Sequence, residues 1–466
     1  MASWDRRSSS SMEKVRAAAL RTQVVHGVAP FSPWWRRRLK DLGRSAQQVA
    51  TLEGLAALPA AGERDVCPTG DPRDASGLVL QAGESGWALH AEGPRLRKAL
   101  LRRVSSRSSY ASIVEADTRP TSFVWAGLAM RFPVASTRAD LDVVARAGAR
   151  LWSVLGLTRG DVAVSGLPLL STAQAQALQL GALGAGAPLL APGDDPDGIA
   201  AALHLVPASV LALPSATGAD VLDELAMAGA PLDALRTLLL VGAPDDAERD
   251  AAIAALDAAG VDATVLAVHV PDGHRLAWGE CREGGRSAGL HTYPDLEVVD
   301  VVDVETGERP TGDGRHELAL TQLGMRGTAL LRWRTGDVVD AVTADACSAC
   351  GRSVPRVLGT RRAALVPVLD LRDGPAAIDL RAVSGAVLGR PEVEDWRVDL
   401  TPGARGDTDR LLVHVALRPD ADPAEAVVDV AQAVRASAGL LPSQVVVHES
   451  GRLPDGQDGG RVLLRD

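Results

Sequence analysis

Lysine is nearly missing from this chain: Lys14, Lys40 and Lys98 are all it has, and no residue after position 98 carries an ε-ammonium group. Any mechanism that needs a downstream lysine is excluded. Cysteine is sparse as well. The chain has 4, two of them in Cys347-x-x-Cys350, which is no disulfide framework for 466 residues and points to metal binding. Long apolar runs are also lacking. The most apolar stretch, Leu178 to Pro192, is only about fifteen residues and carries several glycines, short of the roughly 20 that a bilayer requires. It reads as a buried strand or helix. The start, Met1-Ala2-Ser3-Trp4-Asp5-Arg6-Arg7 and then four serines, lacks the apolar core of a secretory signal, so a cytoplasmic location is expected.

Charge of one sign is not in excess enough to attract polyanions. With 49 basic against 59 acidic residues the net charge is -10, so neither nucleic acid nor a membrane is an expected partner. The first forty residues are the exception, with Arg6, Arg7, Lys14, Arg16, Arg21, Arg36, Arg37, Arg38 and Lys40 against Asp5 and Glu13. They read as a solvated helical face or as a docking surface for an acidic protein partner. Oligomeric state is open, a homodimer included. At 466 residues the chain is too long for one core and fits two or three domains.

Residues 1–12 read as disordered, and 13–58 as helices whose apolar stripe is broken by Pro30 and Pro33. A helix is expected from Ala139 to Leu155, a strand at Val162–Val164 and an alanine-rich helix near Gln174–Leu183. Short apolar runs follow at Pro188–Ala191, Ser209–Leu213, Thr237–Val241 and Ala263–Val268, and strands interleaved with helices imply an α/β, doubly wound, largely parallel sheet. Leu296–Val304 and Glu317–Leu323 read as strands of a β-rich subdomain. Past Gly359 a small α+β unit is expected, with strands near Trp396–Leu400 and Leu411–Leu417 and a helix from Pro423 to Ser437. The division is a large domain over 13–358 and a small one over 359–466.

Two constellations carry chemistry. Cys281 and His291 stand ten positions apart, and Cys347 and Cys350 return about 55 residues later, a Cys₃His complement suited to closed, tetrahedral Zn²⁺. Four protein ligands leave no position for an activated water, so the metal would be structural. Cys67 reads as an ordinary core residue. In Arg332-Trp333-Arg334-Thr335-Gly336-Asp337, an apolar strand from Ala329 to Trp333 is expected to run into a tight turn that exposes Asp337 at the strand end. That carboxylate either grips the hydroxyls of a ribose or caps nearby amides.

Short motifs recur in a fixed order: Thr137-Arg138-Ala139-Asp140-Leu141, Leu213-Pro214-Ser215, Val241-Gly242-Ala243-Pro244, Gly279-Glu280-Cys281 and Gly289-Leu290-His291. Glu317 to Leu323, Arg334-Thr335-Gly336-Asp337, Cys347-x-x-Cys350-Gly351-Arg352 and Pro355-Arg356 to Gly359 complete the series. From about residue 20 to its end the chain resembles the phenylacetate-CoA ligase group of the adenylate-forming synthetases. The resemblance implies a large AMP-binding-like domain, a small mobile C-terminal domain, and activation of a carboxylic acid with ATP and Mg²⁺ before transfer to CoA.

Three chemistry-bearing motifs of that group are altered, and so is its hinge. Where a Ser/Thr/Gly-rich phosphate loop is expected, the chain reads Trp125-Ala126-Gly127-Leu128-Ala129-Met130-Arg131-Phe132, which keeps Gly127 and has no hydroxyl. In place of Tyr-Gly-x-Thr-Glu stands His269-Val270-Pro271-Asp272-Gly273-His274. The position of the C-terminal lysine is Gly460, preceded by Gly459, with Arg461 the nearest cation. The hinge reads Gly359-Thr360-Arg361-Arg362-Ala363, leaving Arg361 as the residue nearest to a ribose-binding arginine. Loss of a single preorganised donor typically costs roughly 10²–10³ in rate. No catalytic residue is therefore assigned, and Asp337, Arg361 and Gly127 are retained as nucleotide-site candidates.

The expected function is that of a degenerate homologue acting as a binding, regulatory or scaffold partner. The alternative is an active acid-CoA ligase with a rearranged site, using Arg131, Arg361 or Arg461 for phosphate charge and Asp272 for magnesium. A third is an unrelated, zinc-stapled interaction protein.

Overall fold

The computed structural model describes residues 4–464 except 69–70, 107–108, 128–130, 170–171, 305, 311–315, 361–367, 372–373, 378–382, 384–385, 388–389, 402–407, 420, 439–440, 449–452 and 454–461. Its large unit is built on a nine-stranded sheet. In chain order the strands of this unit are β1 (Pro120–Ala126), β2 (Phe132–Thr137), β3 (Ala163–Ser165), β4 (Leu189–Leu190), β5 (Val210–Pro214), β6 (Thr237–Val241) and β7 (Thr264–His269). Then come β8 (Trp278–Glu283), β9 (Arg286–His291), β10 (Glu297–Asp303), β11 (His316–Gln322), β12 (Trp333–Val339), β13 (Ala341–Thr343) and β14 (Arg356–Leu358). The large sheet has the order β13-β14-β9-β8-β7-β6-β5-β3-β4. Its β4-β3-β5-β6-β7 half is parallel and the rest antiparallel.

The parallel half follows from the interleaved helices, because right-handed crossovers need a helix between neighbouring parallel strands. Its strands are apolar on both faces, as Val210–Leu213 and Thr237–Val241 are buried along their whole length. Helices Arg138–Val154 and Ala173–Ala185 cover one side and meet backbone to backbone. A Cβ on Gly148 would lie 2.1 Å from the Gly181 Cα, so only glycine fits that crossing. The motif Thr137-Arg138-Ala139-Asp140 has a local role here. Thr137 and Asp140 form a reciprocal capping box at the start of the helix, and Asp140 also accepts from the Arg326 and Gly327 amides.

Strands β10, β11 and β12 form a separate antiparallel sheet, and β1 pairs with β2 as a hairpin whose tip begins at Gly127. The N-terminal helices pack with Phe132, Leu330, Leu331 and Trp333 in a second core. The chain start, expected to be disordered, is described from residue 4 as a turn at Trp4–Arg6 and a helix at Ser9–Gln23. One expectation is corrected: the strand begins at Trp333, four residues later than Ala329. The reason is Arg332, which takes φ of +44° and breaks the extended run, while Ala61 pairs alongside Trp333.

The C-terminal unit comprises β15 (Val368–Leu371), β16 (Gly374–Ala377), β17 (Val393–Thr401), β18 (Arg410–Leu417), β19 (Gln444–His448) and β20 (Val462–Leu464). The last four pair in the order β19-β18-β17-β20, and the helix Pro423–Ala438 packs its Ala426, Val430 and Val434 on that sheet. This is the large α/β plus small α+β architecture expected from the sequence.

Candidate metal centre and cleft

Cys281, His291, Cys347 and Cys350 come together although they arrive from three separate segments. Their ligand atoms all lie within 4.8 Å of one another. Pairing of β8 with β9 and of β9 with β14 sets this up: Gly279 and Arg356 both pair with His291, at the end of β9. The β8–β9 register slips between Glu280 and Arg282, and such a bulge re-aims the Cys281 side chain. The other two thiols sit on a tight turn, in which Gly351 at φ +69° donates to the Cys347 carbonyl and the Cys347 amide donates to Arg352.

The donor chemistry fits a metal. Zn–S bonds of about 2.3 Å place tetrahedral ligands about 3.8 Å apart, a small contraction of the observed cluster. Burial holds His291 down to about 4, helped by the Arg352 and Arg356 guanidiniums, so the ring offers a neutral lone pair. Its Nε2 faces the Cys350 Sγ at 3.4 Å. Burial and the neighbouring thiols push Cys281 up to about 12, a cost that a bound cation removes. Burial works in the same sense on Cys350, yet hydrogen bonds from the Arg352 amide and guanidinium bring it below the ordinary thiol value. Donors aimed at a sulfur that would be a thiolate are what a bound metal needs around it. The cluster is therefore able to hold a metal ion with four protein ligands.

The chain start closes over this knuckle. Arg352 Nε donates to Asp5 at 3.0 Å, and the Ser353 amide donates to the Asp5 carbonyl at 2.9 Å. Trp4 lies tilted against the Tyr293 ring and under the Arg150 guanidinium. Nothing in the local sequence around Asp5 signals this contact, because its partners are almost 350 positions away.

The cleft residues are placed differently from expectation. Asp337 is buried inside β12 and is not exposed at a strand end. Between the Glu317–Val338 and Ala319–Arg334 pairs, residues Thr335, Gly336 and Asp337 bulge opposite Leu318. The bulge is held by Gly336 donating to Glu317 at 2.7 Å and by Thr335 Oγ1 donating to the Leu318 carbonyl. Asp337 then meets His269 Nε2 at 2.8 Å. Arg334 forms two hydrogen bonds to Glu317, so both charges of the Arg-Thr-Gly-Asp motif have partners within the protein. His269 was not singled out from sequence, although it opens the altered His-Val-Pro-Asp-Gly-His segment.

Asp272 reaches across to the hairpin tip. The Gly127 amide donates to its two carboxyl oxygens at 2.9 and 3.1 Å. Burial, and after it the Glu63 carboxylate, push Asp272 up to about 7. Burial likewise raises Glu317, against the opposing pull of Arg334. Glu63 and Asp337 thus act on Asp272, and Asp337 on Glu317 as well, each in the sense that favours the protonated carboxyl. His274, the last residue of the segment, is sealed against Glu297 at 2.5 Å. Arg131 is exposed, while Leu128 to Met130, Arg361, Gly459, Gly460 and Arg461 lie outside the described residues.

No protein-family model matches the chain, and no curated protein matches it. Solved structures do. A 2-hydroxyisobutyryl-CoA ligase in the postadenylation state, complexed with R3-HIB-AMP, superposes with a TM-score of 0.66 at 16% identity, covering 99% of this chain and 91% of that one. The fold is that of the adenylate-forming enzymes. The open conformation of the same ligase, with 2-HIB-AMP and CoA, gives 0.63 at 16% identity and covers 99% of this chain and 93% of that one. In its thioesterification state the value is 0.58 at 15% identity. At this identity the likeness concerns the fold, and the chemistry has to be argued from the residues.

Proposed function

We propose that this protein is a degenerate relative of the adenylate-forming acid-CoA ligases, with the motif order of the phenylacetate-CoA ligase group. It keeps the fold and a structural zinc, and it serves as a binding, regulatory or scaffold partner. The observation that carries the reading is the Asp272 side chain on the Gly127 amide. Glycine amides in such a loop are donors for phosphate oxygens. Here the amide of the retained glycine is taken by the protein's own carboxyl group, with Glu63 and Asp337 adding negative charge nearby. A triphosphate would have to displace that group without a lysine anywhere beyond Lys98.

Zinc is the metal assigned to the Cys281, His291, Cys347 and Cys350 cluster, since three soft thiolates and one imidazole in a closed tetrahedron suit it. Cytoplasmic location belongs to the same reading. Among the described residues no helix is long and apolar enough to cross a membrane.

Calorimetric titration of the zinc-replete protein with ATP and Mg²⁺ tests the proposal without knowledge of an acid substrate. No heat up to millimolar ATP is expected. Micromolar, magnesium-dependent binding followed by acid-dependent pyrophosphate exchange would overturn the reading in favour of an active ligase with a rearranged site.

A further inference from the structure

The helix Gly93–Ser106 turns an apolar stripe toward solvent. Its inner side is anchored: Ala99 is buried with Trp87, Ile113 and Val114, and Arg95 pairs with Asp117 while lying over the Trp87 ring. Among the described residues the outer side has no such cover. Leu101 is 70% exposed, Val104 83% and Leu100 47%, and Leu89 from the preceding helix is 79% exposed. Positions 100, 101 and 104 share one face at helical spacing. Leu100, Leu101 and Val104 thus form an apolar strip along one helix face and are not scattered surface residues.

The charges carried by the helix itself have one sign. Arg97, Lys98 and Arg103 are exposed, with Arg97 at the head of the strip and the other two on its opposite flanks. From residue 93 to residue 109 there is no acidic side chain, in a protein whose net charge is -10. A convex helix with aliphatic side chains outward and cations at both margins is the pattern of an interfacial helix. Its apolar side enters the acyl boundary while the long basic side chains reach the headgroups. A protein groove would have to supply both acidic rims and a concave apolar floor, whereas an anionic lipid surface supplies negative headgroups over an apolar layer wherever the helix lands.

We propose that the helix Gly93–Ser106 docks this protein on the surface of anionic lipid bilayers. The docking is peripheral. It rests on a local surface that the whole-chain charge conceals, and it does not depend on whether the nucleotide cleft is active.

The test is co-sedimentation of the full-length protein with vesicles of phosphatidylcholine containing roughly one third phosphatidylglycerol, against vesicles of phosphatidylcholine alone. Binding to the anionic vesicles, and its loss as salt rises, is expected. The double variant L101E/V104E should bind at least about tenfold more weakly, because each apolar contact is replaced by a repelled carboxylate. R97E/K98E should lose the preference for anionic vesicles. These positions are exposed, so both variants should melt at the wild-type temperature, which separates loss of docking from loss of fold. Three results overturn the proposal: no binding to either vesicle, equal binding to both, or binding that survives L101E/V104E. Capture of an acidic amphipathic peptide by the same face, without vesicle binding, would assign it to a protein partner instead.

Discussion

Replacing Asp272 with asparagine should stabilise the protein at alkaline pH and do little at acid pH. The carboxyl is held at about 7 in the folded chain against 3.8 for the ordinary group. Below 3.8 folded and unfolded chains both hold the proton, and the residue contributes no pH dependence. Between 3.8 and about 7 the unfolded chain ionises first, so it binds fewer protons and stability falls as pH rises. Above about 7 the deficit is constant. At about 1.36 kcal/mol per pH unit the full deficit is about 4 kcal/mol, a ceiling because Asp272 keeps some solvent contact. The replacement amide carries no charge, and its oxygen can still accept from the Gly127 N–H. Urea unfolding followed by tryptophan fluorescence at about pH 5 and about pH 8 should therefore show the D272N advantage growing by about 2–3 kcal/mol. Equal destabilisation at both pH values would refute the reasoning, because it would mean that Asp272 is an ordinary ionised carboxylate whose hydrogen bond is simply lost.

Two further outcomes concern the knuckle. The purified protein should carry about one zinc per chain by elemental analysis, and C347S should lose most of it together with about 3 kcal/mol or more of stability. Full zinc retention in C347S would remove Cys347 from the ligand set. D5A should expose the chain start: loss of the Arg352 contact, a partly buried charged hydrogen bond, should speed tryptic cleavage at Arg6 and Arg7 about tenfold, as read by mass spectrometry. Unchanged cleavage would mean that Asp5 does not hold the segment.

Composition and local periodicity determined much of this protein. The alternation of apolar runs with helical stretches specified the α/β class, and β6 runs from Thr237 to Val241 as its apolar run implied. The absence of lysine after position 98 is a matter of composition alone. The Cys281, His291, Cys347 and Cys350 set was legible because cysteines at that spacing have few other uses, although only the pairing of β8, β9 and β14 closes it. Asp337 was misjudged as an exposed end of a strand. What buried it was a bulge in β12, a positive φ at Arg332 and a partner at His269, none of which a hydrophobic pattern encodes.

Tertiary structure decided the rest. Asp272 and Gly127 are 145 positions apart, and their contact exists only once the hairpin β1-β2 is laid against the end of β7. The same holds for the helix Gly93–Ser106, whose amphipathic sequence promises one buried face but cannot say which apolar side chains are left without cover. Helix and strand are written in the spacing of near neighbours, whereas burial, pKa and exposure depend on distant segments brought together by packing.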